Sequence, residues 1–286
     1  MIKIRQILFV PPAPIVWAEH LRLFAKHAVE VDTTQTASSD QLGQGLADGT
    51  WDVGIGVVDN IIAWNQERNA GLQIFAQYER TTVMAFCAHE KYRTLADTAN
   101  ASVAVDATTN GFVLVHYRAL ARAGVDWRKC RYEPVGGVRH RFEALAAGKA
   151  DATVLVPPFI DMALAKGFRK LWSGEDIAPA YPGVVAAARA DWLHQNQDAV
   201  RRYLGSLLEA NEWAAQPRNA GEAVSSLVAA RYSEPAAKRL VRDIVPGLEP
   251  SLAGWEEVVA LRRECGLLPN PAPKAAEVIH RGPWTT

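Results

Sequence analysis

The sequence predicts an α/β fold with two lobes, and three features of its pattern carry that prediction. Strands and helices alternate in two successive sets, the first over residues 2–78 and the second over residues 83–156. One further strand follows at 183–188, and the chain is then helical as far as residue 265. Strands that alternate with helices pair mainly in parallel, through right-handed crossovers. We therefore expect two mixed, mainly parallel sheets with flanking helices and a helical C-terminal region.

The first set begins with a strand at residues 2–10 that becomes fully apolar towards its end, as a central strand does. Prolines follow it, and apolar residues at helical spacing predict a helix over 15–28. The remaining predicted elements of this set are a strand at 29–32, a helix at 40–47, a strand at 51–58, a short helix at 60–66 and a strand at 72–78. The order β-α-β-α-β is thus complete before residue 60.

The second set repeats this alternation with its own strands. The predicted strands are at 83–88, 102–105, 131–135 and 152–156, with a helical turn at 95–98 and helices at 112–123 and 138–147. A glycine follows each of these two helices, as expected at a helix C-terminus. Because the set is complete in itself, we expect it to form a separate sheet.

The two sets imply two lobes joined by two short crossings. We place the crossings near 80–82 and 181–183, which assigns residues 1–82 and 183–286 to lobe 1 and residues 83–182 to lobe 2. Two short crossings form a hinge, and a cleft then lies between the lobes. Ligands of open α/β sheets bind outside the carboxyl ends of the strands, so we expect a ligand in this cleft.

The charge balance argues against several classes of function. The chain has 31 Lys and Arg residues and 31 Asp and Glu residues, so its net charge is zero. A protein that binds nucleic acid usually carries a basic excess or a concentrated basic stripe, and neither is present. No stretch has the roughly 20 apolar residues of a membrane span, so membrane insertion is not expected.

The N-terminal residues bear on where the protein resides. Met1 leads directly into a strand, without the apolar run and small-residue cleavage site of a secretory signal. We expect a cytoplasmic protein from the sequence as given, or a periplasmic one if a leader has been removed.

No motif for a cofactor or a metal ion stands out. The three cysteines, Cys87, Cys130 and Cys265, are odd in number and lack metal-ligand spacing, so neither a disulfide framework nor a zinc site is expected. The histidines are scattered, and no Walker loop, dinucleotide-binding glycine motif or nucleophile elbow occurs. We expect no cofactor and no metal.

Three segments carry a resemblance to a known family. Residues 46–54 read Leu-Ala-Asp-Gly-Thr-Trp-Asp-Val-Gly, residues 102–106 read Ser-Val-Ala-Val-Asp before a small polar turn, and residues 144–152 read Ala-Leu-Ala-Ala-Gly-Lys-Ala-Asp-Ala. In this order and spacing they resemble the type 2 periplasmic-binding-protein superfamily. The pattern is similar to the branch that holds solute-binding proteins for sulfonates, taurine and thiamine-pyrimidine precursors, together with thiamine pyrimidine synthases.

The resemblance implies the fold over nearly the whole chain, to about residue 265, and a small molecule as the partner. It implies an ABC permease as a second partner if the protein is exported. Some cytoplasmic proteins of this fold are enzymes, among them decarboxylases. The eukaryotic pyrimidine synthases carry a cysteine-rich segment that this chain lacks, which places that reaction in doubt here.

Residues that follow the predicted strands are candidates for lining the cleft. Asp59 either points into the cleft beside Asn60 or caps the helix that follows, as Asp commonly does. Trp17 either forms a flat wall of the cleft or belongs to the core. The candidates from these strand ends are Pro12, Trp17, Asp59, Asn60, Pro157 and Phe159.

Two turns that precede helices are candidates for binding an anion. Unpaired N–H groups and a partial positive charge at a helix N-terminus attract carboxylate, sulfonate or phosphate groups. Arg139 is either an anion partner in the second turn or a solvated surface charge. The candidates from the two turns are Thr108, Thr109, Asn110, Gly111, Phe112, Gly136 and Arg139.

These residues predict that the protein binds a small organic molecule, anionic or heteroaromatic or both, in the interlobe cleft. It would then be a solute-binding protein of the ABC-importer type or a cytoplasmic homologue. The alternative is a cytoplasmic enzyme on the same scaffold: a decarboxylase, lyase or hydrolase of a small organic acid, or an enzyme of cofactor-precursor biosynthesis. That alternative needs a general acid or base in the cleft, for which Asp59, His116 and Asp106 are the candidates.

Overall fold

The fold is built on two five-stranded sheets. It is given by a computed structural model, which describes residues 1–245, 247–280 and 282. The first sheet has the strand order β2-β1-β3-β10-β4, and the second has the order β7-β6-β8-β5-β9. Both sheets mix parallel and antiparallel pairs, and helices flank them, so the predicted fold class is confirmed.

The first sheet takes its strands from two distant parts of the chain. Strand β1 pairs in parallel with β2 and β3, and β10 returns to run antiparallel between β3 and β4. Strand β10 begins two residues after the start of the predicted final strand. The strands are β1 (Ile2–Leu8), β2 (Val29–Gln35), β3 (Val53–Gly56), β4 (Leu72–Gln77) and β10 (Val185–Arg189).

The second sheet contains one strand that the sequence pattern did not predict. Strand β6 pairs in parallel with β7 and β8, and β5 runs antiparallel to β8 and β9. Strand β9 was missed because it lies at the sheet edge and of its five residues only Trp172 is fully buried. The strands are β5 (Ala85–Ala88), β6 (Ser102–Val105), β7 (Arg131–Pro134), β8 (Ala152–Leu155) and β9 (Arg169–Ser173).

The predicted helices are present, with one break. The helix expected over 15–28 is two helices, because Arg22 adopts a left-handed conformation with φ of 57°. The turn expected at 95–98 is a 3-10 helix at Ala96–Asn100. The α-helices are α1 (Ala13–His20), α2 (Leu23–Lys26), α3 (Ser39–Ala47), α4 (Val58–Arg68), α5 (Val113–Arg122), α6 (Val138–Ala146), α7 (Phe159–Ala165), α8 (Gly174–Ile177), α9 (Ala190–Gln195), α10 (Gln197–Ala214), α11 (Ala220–Ala229), α12 (Glu234–Arg242), α13 (Leu252–Glu264) and α14 (Ala275–Val278).

The two chain crossings between the sheets pack directly against each other. The Thr82 hydroxyl donates to the Pro182 carbonyl oxygen at 2.8 Å. A Cβ placed on Gly183 would lie 2.2 Å from the Glu79 carbonyl oxygen, so this position accepts no side chain without a backbone shift. The close approach holds the two crossings side by side at one edge of the cleft.

The C-terminal helices connect the two sheets rather than packing on the first alone. Helix α10 packs on α1 and covers one face of the first sheet, where Trp17 and Tyr203 are fully buried. Helix α13 packs against both α4 of the first sheet and α5 of the second. Among the described residues, no helix is long and apolar enough to cross a membrane.

Candidate ligand-binding cleft

A cavity of about 170 Å³ lies where the carboxyl ends of strands from both sheets meet. This is the position that the topology predicts for a ligand. The first sheet contributes residues at the ends of β1, β3 and β4, and the second sheet contributes residues at the ends of β6 and β8. The strand-end residues that line the cavity are Phe9, Val10, Ile55, Gly56, Val57, Glu79, Val103, Val105, Asp106, Ala107, Val154, Val156 and Pro157.

Helices and the two chain crossings supply the rest of the cavity wall. The start of α5 contributes Asn110, Gly111, Phe112 and His116, and the start of α6 contributes Val138 and Arg141. Helix α12 and the segment before it close the cavity on another side, with Tyr232, Ala236, Arg239 and Leu240. The wall is mainly apolar with a few polar groups, which is the usual composition of a small-molecule site.

Arg141 is the most unusual polar residue of the wall. Its side chain is 6% exposed, and it forms no ion pair within 4 Å with any residue that the structure describes. Its Nε has no hydrogen-bond partner among these residues, and its guanidinium lies 5.9 Å from the centre of the Phe112 ring. Burial lowers its pKa to about 10, although Asp106 acts in the opposite direction. Arg141 therefore remains charged at neutral pH and lacks a close anionic partner.

Arg139, which the sequence analysis selected, is exposed and does not line the cavity. Two residues along an α-helix are about 200° apart around its axis, so Arg139 and Arg141 face in opposite directions. Of the two roles considered for Arg139, the structure therefore supports that of a solvated surface charge.

The glycines before α6 bring the two sheets together. Gly136 adopts a positive φ of 96°, and the N–H of Gly137 donates to the Ala37 carbonyl oxygen at 2.6 Å. A Cβ on Gly137 would lie 2.8 Å from both Ala37 and the Phe9 ring. Gly137 lines the cavity and Gly136 does not. The N–H of Gly137, in the second of the turns that were candidates for binding an anion, is thus used within the protein.

The turn before α5 holds a carboxylate of the protein itself. The N–H of Gly111 donates to Asp59 Oδ2 at 2.5 Å, so the predicted anion at this turn is the Asp59 side chain. Asn110, Gly111 and Phe112 line the cavity, whereas Thr108 and Thr109 are exposed and lie outside its wall.

Asp59 belongs to a buried ion pair rather than to the cavity wall. It lies in the first turn of α4, whose N-cap is Val57, so it does not cap the helix. Arg262 on α13 donates to Asp59 Oδ1 at 2.9 Å and to the Leu267 carbonyl oxygen at 2.8 Å. Burial raises the pKa of Asp59, and the Arg262 guanidinium and the Gly111 N–H oppose that shift. The pair joins α4, α13 and the turn before α5.

Two buried polar groups of the wall lack partners within the described structure. Asn60 is 5% exposed and its Oδ1 accepts no hydrogen bond. His116 stacks on Phe86 at 4.1 Å, and its Nδ1 accepts a long hydrogen bond of 3.4 Å from Trp172 Nε1. Burial lowers the pKa of His116 to about 3, so the ring is neutral at neutral pH and its unpartnered Nε2 carries the hydrogen. His116 thus offers a donor, and it is not a protonated acid.

The remaining predicted site residues divide between the cavity and the core. Pro157 lines the cavity. Trp17 is buried in the core of the first sheet, where its Nε1 donates to the Ala223 carbonyl oxygen at 3.1 Å. Pro12 is the buried N-cap of α1, and Phe159 packs against Phe142 with ring centres 5.5 Å apart. The structure therefore places these last three residues outside the wall of the main cavity.

Sequence reasoning missed Arg141, Glu79 and Arg239. A signal for Arg141 was present, because Val138, Arg141, Phe142 and Leu145 recur at helical spacing and all four are buried. Glu79 follows strand β4, and the strand-end rule applies to it as well. Arg239 lies on α12 in the helical tail, which reaches the cavity only through the tertiary fold.

The comparisons with known proteins agree with this architecture. A model of the NMT1-like family matches residues 2–228, which is more than three quarters of the chain, so the chain belongs to that family. No curated protein matches it. The fold and the cleft define a protein with the periplasmic-binding-protein fold, and this confirms the resemblance drawn from the sequence.

Solved structures share this fold over nearly their whole length. The alkanesulfonate-binding protein SsuA from Xanthomonas axonopodis pv. citri, bound to MOPS, is 19% identical, with a TM-score of 0.78 over 97% of this chain and 98% of that one. The ligand-binding component of an ABC-type import system from Staphylococcus aureus, with zinc bound, is 13% identical, with a TM-score of 0.76 over 98% and 97%. A Candida albicans protein with the generic periplasmic-binding-protein fold is 12% identical, with a TM-score of 0.77 over 94% and 91%.

Proposed function

We propose that this protein binds a small organic molecule in the cleft and that Arg141 pairs with an anionic group of that molecule. One observation carries the proposal: Arg141 is charged, buried in the cavity wall and without a close counter-ion among the described residues. An unpaired buried charge costs several kcal/mol of stability. A carboxylate or sulfonate supplies the missing partner, and a guanidinium binds such groups through paired hydrogen bonds.

The rest of the cavity wall fits the organic part of such a ligand. Valine, alanine and isoleucine side chains form about half of the wall, and the rings of Phe9 and Phe112 lie among them. The side chains of Asn60 and His116 add one unpartnered acceptor and one unpartnered donor. The ligand we propose has an anionic head that meets Arg141 and an apolar or aromatic body.

We propose that residues 1–82 and 183–286 form one lobe, that residues 83–182 form the other, and that the lobes close on the ligand. The packed crossings at Thr82 and Gly183 support a hinge at this edge. The residues that line the cavity come from both proposed lobes, so a ligand held there contacts both. Ligand binding is then coupled to lobe closure.

The relatives support a role in uptake. SsuA from X. axonopodis binds alkanesulfonates, and the S. aureus protein is a component of an ABC-type import system. We propose the permease of an ABC importer as the partner of an exported, periplasmic form. A form that stays in the cytoplasm would bind the same ligand without that permease.

The enzyme alternative has one observation in its favour. Glu79 lines the cavity, and burial raises its pKa to about 7, which suits a general acid or base at neutral pH. The three candidates from the sequence are less suited. Asp59 is held in its ion pair with Arg262, His116 remains neutral, and Asp106 lies in the wall where it acts electrostatically on Arg141.

Mass spectrometry of the small molecules released from the freshly purified, heat-denatured protein tests the proposal against the alternative. We expect one unmodified compound with an anionic group, in a ratio near one per chain. A pair of compounds related as substrate and product would favour the enzyme. A released compound without an anionic group would contradict the role of Arg141.

A further inference from the structure

A second ionisable group without an ion-pair partner among the described residues lies in the wall of the same cavity. Glu79 follows strand β4, and its carboxyl group forms no hydrogen bond or ion pair with any residue that the structure describes. The nearest cation that acts on it is Arg239. Arg239 is already engaged by Glu175 and by Asp243, the latter at 3.5 Å. The Tyr232 hydroxyl donates to the Pro11 carbonyl oxygen at 2.8 Å rather than to Glu79.

Two ionisable groups of the wall therefore lack a close partner of opposite charge. Arg141 lacks a close anion, and Glu79 lacks a close cation. Asp106 adds a second carboxylate to the wall and acts on Arg141 from beyond ion-pair distance, while Arg239 forms its ion pairs with Glu175 and Asp243. A ligand with an anionic group alone would pair with Arg141 and would leave Glu79 without an ion-pair partner.

We propose that Glu79 binds a protonated amine of the ligand, so that the ligand is zwitterionic, with its anionic group at Arg141 and its amine at Glu79. This inference rests on the proposed function of the cleft. A protonated amine forms the ion pair that Glu79 lacks, just as a carboxylate forms the ion pair that Arg141 lacks. The apolar wall between the strand ends then contacts the carbon chain or ring that joins the two groups.

The ionisation of the wall gives this proposal a measurable pH dependence. Burial raises the pKa of Glu79 to about 7, and Arg239 opposes the shift. Burial lowers the pKa of Arg141 only to about 10, so this residue stays charged, and burial lowers the pKa of His116 to about 3, so this residue stays neutral. Burial also raises the pKa of Tyr232, so its hydroxyl stays neutral. Between pH 6 and pH 8 Glu79 therefore becomes ionised, whereas Arg141 stays charged and His116 and Tyr232 stay neutral.

The test is isothermal titration of the full chain with two matched series of probes. One series is the ω-amino alkanoates of two to six carbons, and the other is the alkanoates of the same lengths. The variants are Glu79→Gln, which keeps the shape of the side chain, and Arg141→Met. Glu212→Gln, on the exposed side of α10 and outside the cavity wall, is the matched control.

We expect the unaltered protein to bind at least one amino alkanoate about tenfold or more tightly than the matched alkanoate. Glu79→Gln should remove this preference and still bind alkanoates, and Glu212→Gln should preserve it. The preference should increase from pH 6 to pH 8. Arg141→Met should weaken both series.

Two results would overturn the inference in distinguishable ways. Alkanoate binding without a preference for the amine, or a preference that survives Glu79→Gln, would refute the role of Glu79 and leave the proposed function standing. Failure of both series to bind at any length would contradict the proposed anion site itself.

Discussion

Two buried arginines of this protein differ in what surrounds them, and the difference separates structure from function. Arg262 is 2% exposed and Arg141 is 6% exposed. The guanidinium of Arg262 donates to Asp59 and to the Leu267 carbonyl oxygen. That of Arg141 makes no such contacts with the described residues and lies in the wall of the cavity. The burial is similar, and only the partners differ.

The comparison teaches that burial of a charge does not by itself mark a binding site. Arg262 connects α13, α4 and the turn before α5, so its hydrogen bonds hold these segments together. The guanidinium of Arg141 has donors without a partner in the described structure, and a ligand can accept hydrogen bonds from them. A site is therefore better identified by unsatisfied groups around a cavity than by charge or position alone.

The largest expected effect is on the paired arginine. Arg262→Met leaves the Asp59 carboxylate buried without its cation, and we expect the free energy of unfolding to fall by about 3–5 kcal/mol. Urea unfolding measures this loss. The double variant Asp59→Asn with Arg262→Met is the control, and it should lose less because no charge is left unpaired. A loss below about 1 kcal/mol in the single variant would remove the contrast between the two arginines.

A smaller effect should come from His116, another unpartnered group of the wall. Its folded-state pKa of about 3 lies below its ordinary value of 6.5, so the unfolded chain binds the extra proton first as the pH falls. The stability that His116 contributes is complete above pH 6.5 and decreases towards pH 3. Glu79 acts in the opposite direction, because its raised pKa of about 7 makes the folded state less stable as the pH rises from 4.5 to 7.

A variant separates these two contributions. The difference in unfolding free energy between the unaltered protein and His116→Phe should shift by about 2 kcal/mol in favour of the variant between pH 7 and pH 5. Urea titrations of both proteins at the two pH values measure it. A difference that does not change with pH would mean that His116 is protonated as easily in the folded protein as in the unfolded chain.

The smallest loss of stability is expected at the unpaired arginine. Arg141→Met replaces a buried charge that has no close partner with an apolar side chain, so the free energy of unfolding should stay within about 1 kcal/mol of the original or increase. The same urea titration gives this value. A loss as large as that of Arg262→Met would show that Arg141 stabilises the fold and would weaken its assignment to a ligand.

The architecture could be predicted because its signals are local. Helical and strand spacing, the glycines after α5 and α6, and the turn residues around them gave the order of the elements. Two of the misses have local causes as well. Arg22 breaks a helix through a left-handed conformation that an arginine rarely adopts, and β9 has too little buried surface to show a pattern.

The cleft was predictable in position but not in detail. The rule for strand ends selected Asn60 and Pro157, and the rule for helix N-termini selected Asn110 and Gly111; all four line the cavity. The rule for strand ends also selected Asp59, whose partner Arg262 lies 203 residues away. Only the folded chain reveals that the Gly111 N–H is already occupied and that Arg141 is not. Such satisfaction of polar groups is a tertiary property, and composition and spacing do not report it.

The central claim, that Arg141 binds the anionic group of a ligand, is tested most directly by titrating hexanesulfonate into three proteins at pH 7. These are the unaltered protein, Arg141→Met and Arg139→Met, in which the exposed arginine two residues away serves as the control. We predict measurable binding to the first, binding about 100-fold weaker to Arg141→Met, and unchanged binding to Arg139→Met; the 100-fold change corresponds to about 2.7 kcal/mol. Equal binding by Arg141→Met and the unaltered protein would contradict the claim.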